Sequence, residues 1–149
     1  MPRLRLRLLT AAVGVFVALF GSVVVASAPA MAASCYGDWC SGQDPQATGC
    51  SADAYVVASA DVYSGRANLQ LRWSPSCQTN WARLYIYPSN SWFPGGTLVA
   101  RQSSGYQQSL STVSTQGERT YWTPQIYSPQ LCVRAEFHSG WGDVSTVCI

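Results

Sequence analysis

The strongest constraint on this chain is the placement of its six cysteines. Cys35, Cys40, Cys50, Cys77, Cys132 and Cys148 all follow an apolar leader, and the first three fall within CYGDWCSGQDPQATGC. The leader reads MPRLRLRLLTAAVGVFVALFGSVVVASAPAMAAS. Arg3, Arg5 and Arg7 give it a cationic start, and an apolar stretch runs from Leu8 to Val25. Ala30-Met31-Ala32 is an A-x-A pattern allowing cleavage just before Ala33, and Ala26-Ser27-Ala28 offers an earlier cut. Roughly 18 apolar residues would also suffice for a membrane anchor, but no basic stop-transfer cluster follows. Residues 1–32 are therefore expected to be a secretory signal peptide. The remainder is expected to be extracellular and free of the membrane. An even cysteine count in an exported chain reads as disulfides, because that compartment does not keep thiols reduced.

Removing the leader changes the charge. All nine basic residues are arginine, three leave with the leader, and six remain against seven acids. With no basic cluster left, nucleic acid and anionic lipid are disfavoured as partners. About 117 residues remain, enough for one domain with a modest core. A polar entry segment over residues 33–53 is expected to belong to the same domain as residues 54–149.

That domain reads as strands. In ANLQLRW, Leu69, Leu71 and Trp73 share one face, opposite Asn68, Gln70 and Arg72. In WARLYIY, Ala82, Leu84 and Ile86 alternate with Trp81, Arg83, Tyr85 and Tyr87. Similar runs lie near residues 54–62, 97–101, 120–127, 131–137 and 143–149, separated by Gly, Pro, Ser and Asn turns. About seven short strands predict an all-β fold, a small disulfide-stapled antiparallel β-sandwich or β-barrel. The Ser/Gln/Thr-rich stretch from Gln102 to Gln116 is either a long polar loop or an edge strand.

Pairing the last two runs about Gly140 predicts that position i faces 280 minus i. Cys132 then faces Cys148, Val133 faces Val147, Leu131 faces Ile149 and Glu136 faces Val144, with Asp143 on the other face. Directly opposed residues are within disulfide range, so Cys132–Cys148 is expected. The four N-terminal cysteines leave three pairings. Cys35–Cys40 with Cys50–Cys77 is favoured, and Cys35–Cys50 with Cys40–Cys77 stays open. Redox chemistry would need C-x-x-C at a helix start, and the spacing here is C-x4-C. Asp38, Asp44 and Asp53 do not have the alternating spacing of a calcium loop and read as turn caps. No metal and no cofactor are expected.

Cys40-Ser-Gly-Gln-Asp44-Pro45, Gly49-Cys50-Ser-Ala-Asp53-Ala54, Leu69-x-Leu71-Arg72-Trp73-Ser74-Pro75-x-Cys77 and Trp81-Ala82-Arg83 form a recurring pattern. It resembles the actinobacterial domain-of-unknown-function family number 2690, with Tyr121-Trp122-Thr123-Pro124 similar to a later segment of that family. Trp73 stands where the family usually has Tyr, and Cys132 and Cys148 look like an addition. The resemblance implies an exported domain, free-standing or carried outside the membrane by a helix-turn-helix regulator. It implies fold-supporting roles for Asp44, Asp53, Trp81 and Arg83, and carries over no activity.

For catalysis the sequence offers one histidine, His138, beside a turn, and no G-x-S-x-G elbow. A small hydrolase using His138 or Glu136 is the weakest reading. The aromatic load is the better guide, with six Trp and eight Tyr. At least two of Trp73, Trp81 and Trp122 are expected in the core. Trp39, Trp92, Phe93 and Trp141 fall in loops, and Tyr85 and Tyr87 lie opposite the core face. These six are the candidate binding residues, suited to stacking on sugar rings or anchoring a protein. The leading expectation is a secreted, monomeric, non-enzymatic domain that binds extracellular polysaccharide or a protein. The alternative is a proteinase inhibitor or effector using the loop Asn90–Gly96.

Overall fold

The computed structural model describes residues 32–149. The signal-peptide segment therefore lies outside the described residues, except for Ala32. Nine strands form two antiparallel sheets: β1 (Tyr55–Val62), β2 (Ala67–Ser74), β3 (Thr79–Ile86), β4 (Gly96–Gln102), β5 (Gln107–Thr112), β6 (Arg119–Trp122), β7 (Ile126–Tyr127), β8 (Val133–Ser139) and β9 (Gly142–Ser145). One sheet runs β1-β2-β3-β6, with β7 also pairing β3, and the other runs β5-β4-β8-β9. The fold is an open all-β sandwich, and neither sheet closes into a barrel.

Nine strands replace the expected seven for two local reasons. The run 120–127 splits into β6 and β7 at Thr123-Pro124, where proline has no N–H to give the ladder. The Ser/Gln/Thr stretch supplies β5, an edge strand whose alternate residues are exposed. Polar side chains on an edge blunt its tendency to pair with other chains.

The core lies between the sheets. Leu69 and Leu71 of β2 and Ala82, Leu84 and Ile86 of β3 meet Leu98 and Ala100 of β4 and Val133, Ala135 and Phe137 of β8. Period-two patterning puts all of these on inner faces. At the start of β3 the alternation fails, and Thr79, Asn80, Trp81 and Ala82 are all buried. The strand is covered on both faces there, and its buried polar side chains are hydrogen-bonded, Thr79 donating to Gln125 and Asn80 to the Arg72 carbonyl. Of the three strand tryptophans only Trp81 is fully buried, whereas Trp122 is half-buried on the outer face and Trp73, on the side of Leu69 and Leu71, is half-buried beside Tyr55 and Val57.

The entry segment is held by covalent and polar ties. Cys35–Cys40 and Cys50–Cys77 form, with Cα separations of 5.3 and 5.8 Å, so the favoured pairing holds. Gln125, fully buried, accepts a hydrogen bond from Thr79 Oγ1 (2.8 Å) and donates to Thr48 Oγ1 (3.0 Å). Its main chain bonds Gly42 and Gln43. Asp53 accepts from the Ser74 hydroxyl (2.6 Å) and the Ser76 amide (2.8 Å), capping the β2–β3 turn that carries Cys77. Asp44 accepts from the amide of Gln46 (2.7 Å) and the indole of Trp122 (3.2 Å). Both acids act as turn caps, in line with the fold-supporting roles implied for them.

The final hairpin corrects the expected register. Glu136 pairs Ser145, Phe137 pairs Val144, His138 pairs Asp143 and Ser139 pairs Gly142. The turn is a two-residue loop, Gly140-Trp141, centred between residues rather than on Gly140, so every pairing shifts by one. A second shift follows at Thr146. Its amide donates to the Ala135 carbonyl (2.9 Å), and its hydroxyl accepts from the Ala135 amide in place of a main-chain carbonyl (3.0 Å). Beyond it Val133 exchanges both main-chain bonds with Ile149 rather than facing Val147. The Cys132–Cys148 disulfide forms, with a Cα separation of 5.4 Å, but diagonally beside that pair.

Candidate functional site

The six aromatic candidates separate into different places. Phe93 is fully buried. Its residue forms an isolated bridge with Thr115, with amide and carbonyl both engaged, and this turns the ring inward onto Phe137, 5.8 Å between centroids. Phe93 is therefore a core residue and not a binding residue. Pro94 and Asn90 are buried beside it. Within the loop Asn90–Gly96, Ser91 and Trp92 are the exposed residues. Trp39 stands alone on the entry segment, 83% exposed.

Trp92 and Trp141, 49 positions apart in the chain, come together at one end of the sandwich. Their ring centroids are 5.1 Å apart, and they are 41% and 48% exposed. The Arg66 guanidinium lies 5.4 Å from the Trp141 ring, and Tyr63 packs edge-on beneath it at 5.5 Å. Tyr63 belongs to the β1–β2 turn, where Tyr63 and Ser64 both adopt positive φ. Its hydroxyl donates to the Gly142 carbonyl (2.8 Å) and bonds Ser139 of the opposite sheet. Neither Tyr63 nor Arg66 stands out in the sequence, because Gly65 marks the turn but no local pattern shows that Tyr63 reaches across to Ser139 and Gly142.

The outer face of the five-stranded sheet carries a second feature. Register places Arg72 opposite Trp81, and Gln70 opposite Arg83, which faces Trp122 in turn. Arg72, Trp81, Arg83 and Trp122, with Gln46, Ser51 and Thr120, line a cleft of about 480 Å³. Tyr85 and Tyr87 stand edge-to-face at its margin, 5.2 Å apart, with the Arg83 guanidinium 5.8 Å from the Tyr85 ring.

The outer face of the four-stranded sheet holds a charged cluster centred on Glu136, which is only 5% exposed. Its carboxylate accepts from Arg101 Nε (3.0 and 3.1 Å), Arg134 Nε (2.6 Å) and His138 Nε2 (3.1 Å). The other ring nitrogen of His138 is 3.0 Å from Asp143. Burial works to raise the Glu136 pKa, but hydrogen bonds from Arg101, Arg134 and His138 outweigh it and hold the carboxyl down at about 2. The Glu136 hydrogen bond, aided by Asp143, raises the His138 pKa above its ordinary value. An imidazole with both nitrogens against carboxylates has its charged form favoured. The cluster reads as an electrostatic clasp across β4, β8 and β9.

The sulfurs of Cys35, Cys40, Cys50 and Cys77 lie within 4.8 Å of one another. As two disulfides they present no thiolate to a metal.

Comparison with known families matches residues 38–136 to the model described as protein of unknown function, DUF2690. The chain belongs to the DUF2690 family. The matched span contains every residue lining the Arg72–Arg83 cleft, while His138, Trp141, Asp143 and Cys148 lie beyond it. No curated protein and no solved structure matches the chain. Among the described residues no helix is long and apolar enough to cross a membrane. Three disulfides mark a domain built for an oxidising, extracellular-type environment.

Proposed function

We propose that this DUF2690 domain is exported and non-enzymatic, and that as a monomer it binds extracellular polysaccharide. The single observation that carries the reading is the pairing of Trp92 with Trp141, two half-exposed indoles 5.1 Å apart beside the Arg66 guanidinium. Indole faces stack on the apolar face of a sugar ring, and a neighbouring guanidinium donates to ring hydroxyls. A fold tied by three disulfides and a buried core supplies the rigid platform that keeps the ordering cost of such stacking low.

The test is retention of the purified mature domain on a panel of insoluble cell-wall and extracellular polysaccharides. The parent is expected to be retained, and Trp92→Ala and Trp141→Ala are each expected to elute with the unbound fraction while keeping the parent's circular dichroism. No retention of the parent, or equal retention of folded variants, overturns the reading.

A further inference from the structure

The cleft on the outer face of the five-stranded sheet is a different place from the tryptophan ridge, and its charge is unusual. Arg72 and Arg83 are diagonal neighbours on adjacent strands, projecting from the same face. Among the described residues no ion pair includes either of them, since every ion pair there runs to Glu136 or Asp143. Their protein partners are neutral: Arg72 Nη2 donates to the Ala54 carbonyl (2.6 Å), and Arg83 Nη1 donates to Gln70 Oε1 (3.2 Å). Asp44 is close by but turned to other work, its Oδ1 accepting from Gln46, Ala47 and Trp122.

Two guanidinium groups side by side repel each other, and among the described residues neither has an ion-pair partner to offset that repulsion. Burial above all, with the neighbouring Arg83 adding to it, lowers the Arg72 pKa. Each guanidinium has five N–H donors, so most remain free to face the cleft. The walls add Trp122, half-buried and flat-faced, and the polar side chains of Gln46, Ser51 and Thr120.

We propose that Arg72 and Arg83 bind an oxyanion carried on a sugar ring, either the carboxylate of a uronic acid or the phosphate of a phosphosugar. Guanidinium forks match both groups and form the stronger, charge-assisted class of hydrogen bond. Trp122 takes the ring face, and Gln46, Ser51 and Thr120 take hydroxyls. The sugar part rests on the polysaccharide reading above, whereas the oxyanion part rests on the arginine pair alone.

The test titrates the mature domain with inorganic phosphate, glucuronate and glucose at low ionic strength, following indole nitrogen and guanidinium resonances by NMR. Phosphate and glucuronate are expected to shift Trp122 and Arg83 saturably, glucuronate more tightly, and glucose to be far weaker. Added salt is expected to weaken the anions. Arg83→Gln is expected to weaken both anions about tenfold or more. Arg119→Gln removes the same charge from a residue paired with inward-facing Ile86, and is expected to change little. Arg72→Gln also loses the Ala54 bond, so Arg83→Gln is the variant that decides. Tighter binding of glucuronate than phosphate supports the sugar ring, and the reverse order supports phosphate as the native group. Absence of saturable shifts, or equal binding by folded Arg83→Gln, overturns the site. The Trp92→Ala/Trp141→Ala double variant separates the two proposals. If it keeps anion binding while the parent ignores every polysaccharide, the oxyanion site stands and the polysaccharide reading falls. If polysaccharide is retained and no anion binds, the reverse holds.

Discussion

Glu136 and His138, two positions apart on β8, share a 3.1 Å hydrogen bond on the outer face of the four-stranded sheet. The same imidazole reaches Asp143 across the β8–β9 ladder at 3.0 Å. Because the folded state raises the His138 pKa, protonation and folding favour each other. This stabilisation is fully present below the ordinary histidine value near 6.5, and is lost as pH rises through the raised folded value. The His138 imidazole is expected to titrate above 6.5 by NMR, and urea midpoints are expected to decline over that window. His138→Gln is expected to flatten the decline.

Glu136 governs the acid side with the opposite sign. Its folded pKa of about 2 lies below its ordinary 4.5. Its contribution is therefore present above 4.5 and drains away as pH falls from there to about 2. Glu136→Gln is expected to cost about 1.5–3 kcal/mol at neutral pH, the range for hydrogen bonds to a charged group. It is also expected to shrink the loss of stability on acidification. Chemical denaturation at pH 7 and pH 3 measures both.

A methyl group at Gly96 would fall 2.2 Å from the His138 carbonyl oxygen and 3.0 Å from the Phe137 ring. The β4–β8 pairing depends on that bare Cα. Gly96→Ala is expected to cost at least the 1–3 kcal/mol typical of overpacking. Gly140→Ala, with no atom within 4 Å, is expected to stay within about 0.5 kcal/mol. Thermal unfolding of the two variants makes the comparison.

The three disulfides close loops of different length. Sequence separations are 5 for Cys35–Cys40, 16 for Cys132–Cys148 and 27 for Cys50–Cys77. Loop entropy gives about 3 kcal/mol for a 15-residue loop, with more for longer ones. Double Cys→Ser variants are expected to lose stability in the order Cys50/Cys77, Cys132/Cys148, Cys35/Cys40. An inverted order in equilibrium unfolding refutes that ranking.

Tyr63→Phe keeps the ring that packs on Phe93 and Phe137 and deletes the bonds to Ser139 and Gly142. A loss of about 1 kcal/mol is expected, with amide exchange quickening in both turns.

The sheet layers were legible because Leu69, Leu71, Leu84 and Ile86 keep strict alternation, and a half-buried strand leaves that trace. The cysteines were legible too, since an exported chain leaves few alternatives to pairing. The hairpin register was misread because both shifts are local. One depends on whether the turn is centred on a residue or between two, and the other on a Thr146 hydroxyl standing in for a carbonyl. Phe93 was misplaced because a loop residue with a single bridge to Thr115 has no periodicity to reveal its burial. The pairing of Trp92 with Trp141 and the cleft around Arg72 and Arg83 arise from tertiary register, which joins positions that local pattern treats as unrelated.

The Tyr63 phenol belongs to one layer and is fastened to the other, directly above Phe93 and Phe137. Separating the layers at this end wets those rings in the same event that severs the phenol's bonds. Local breathing there is thereby suppressed in favour of a single cooperative opening. The two indoles at this end, 5.1 Å apart, are seated on that same fastened seam, so any loosening of it would part them as well.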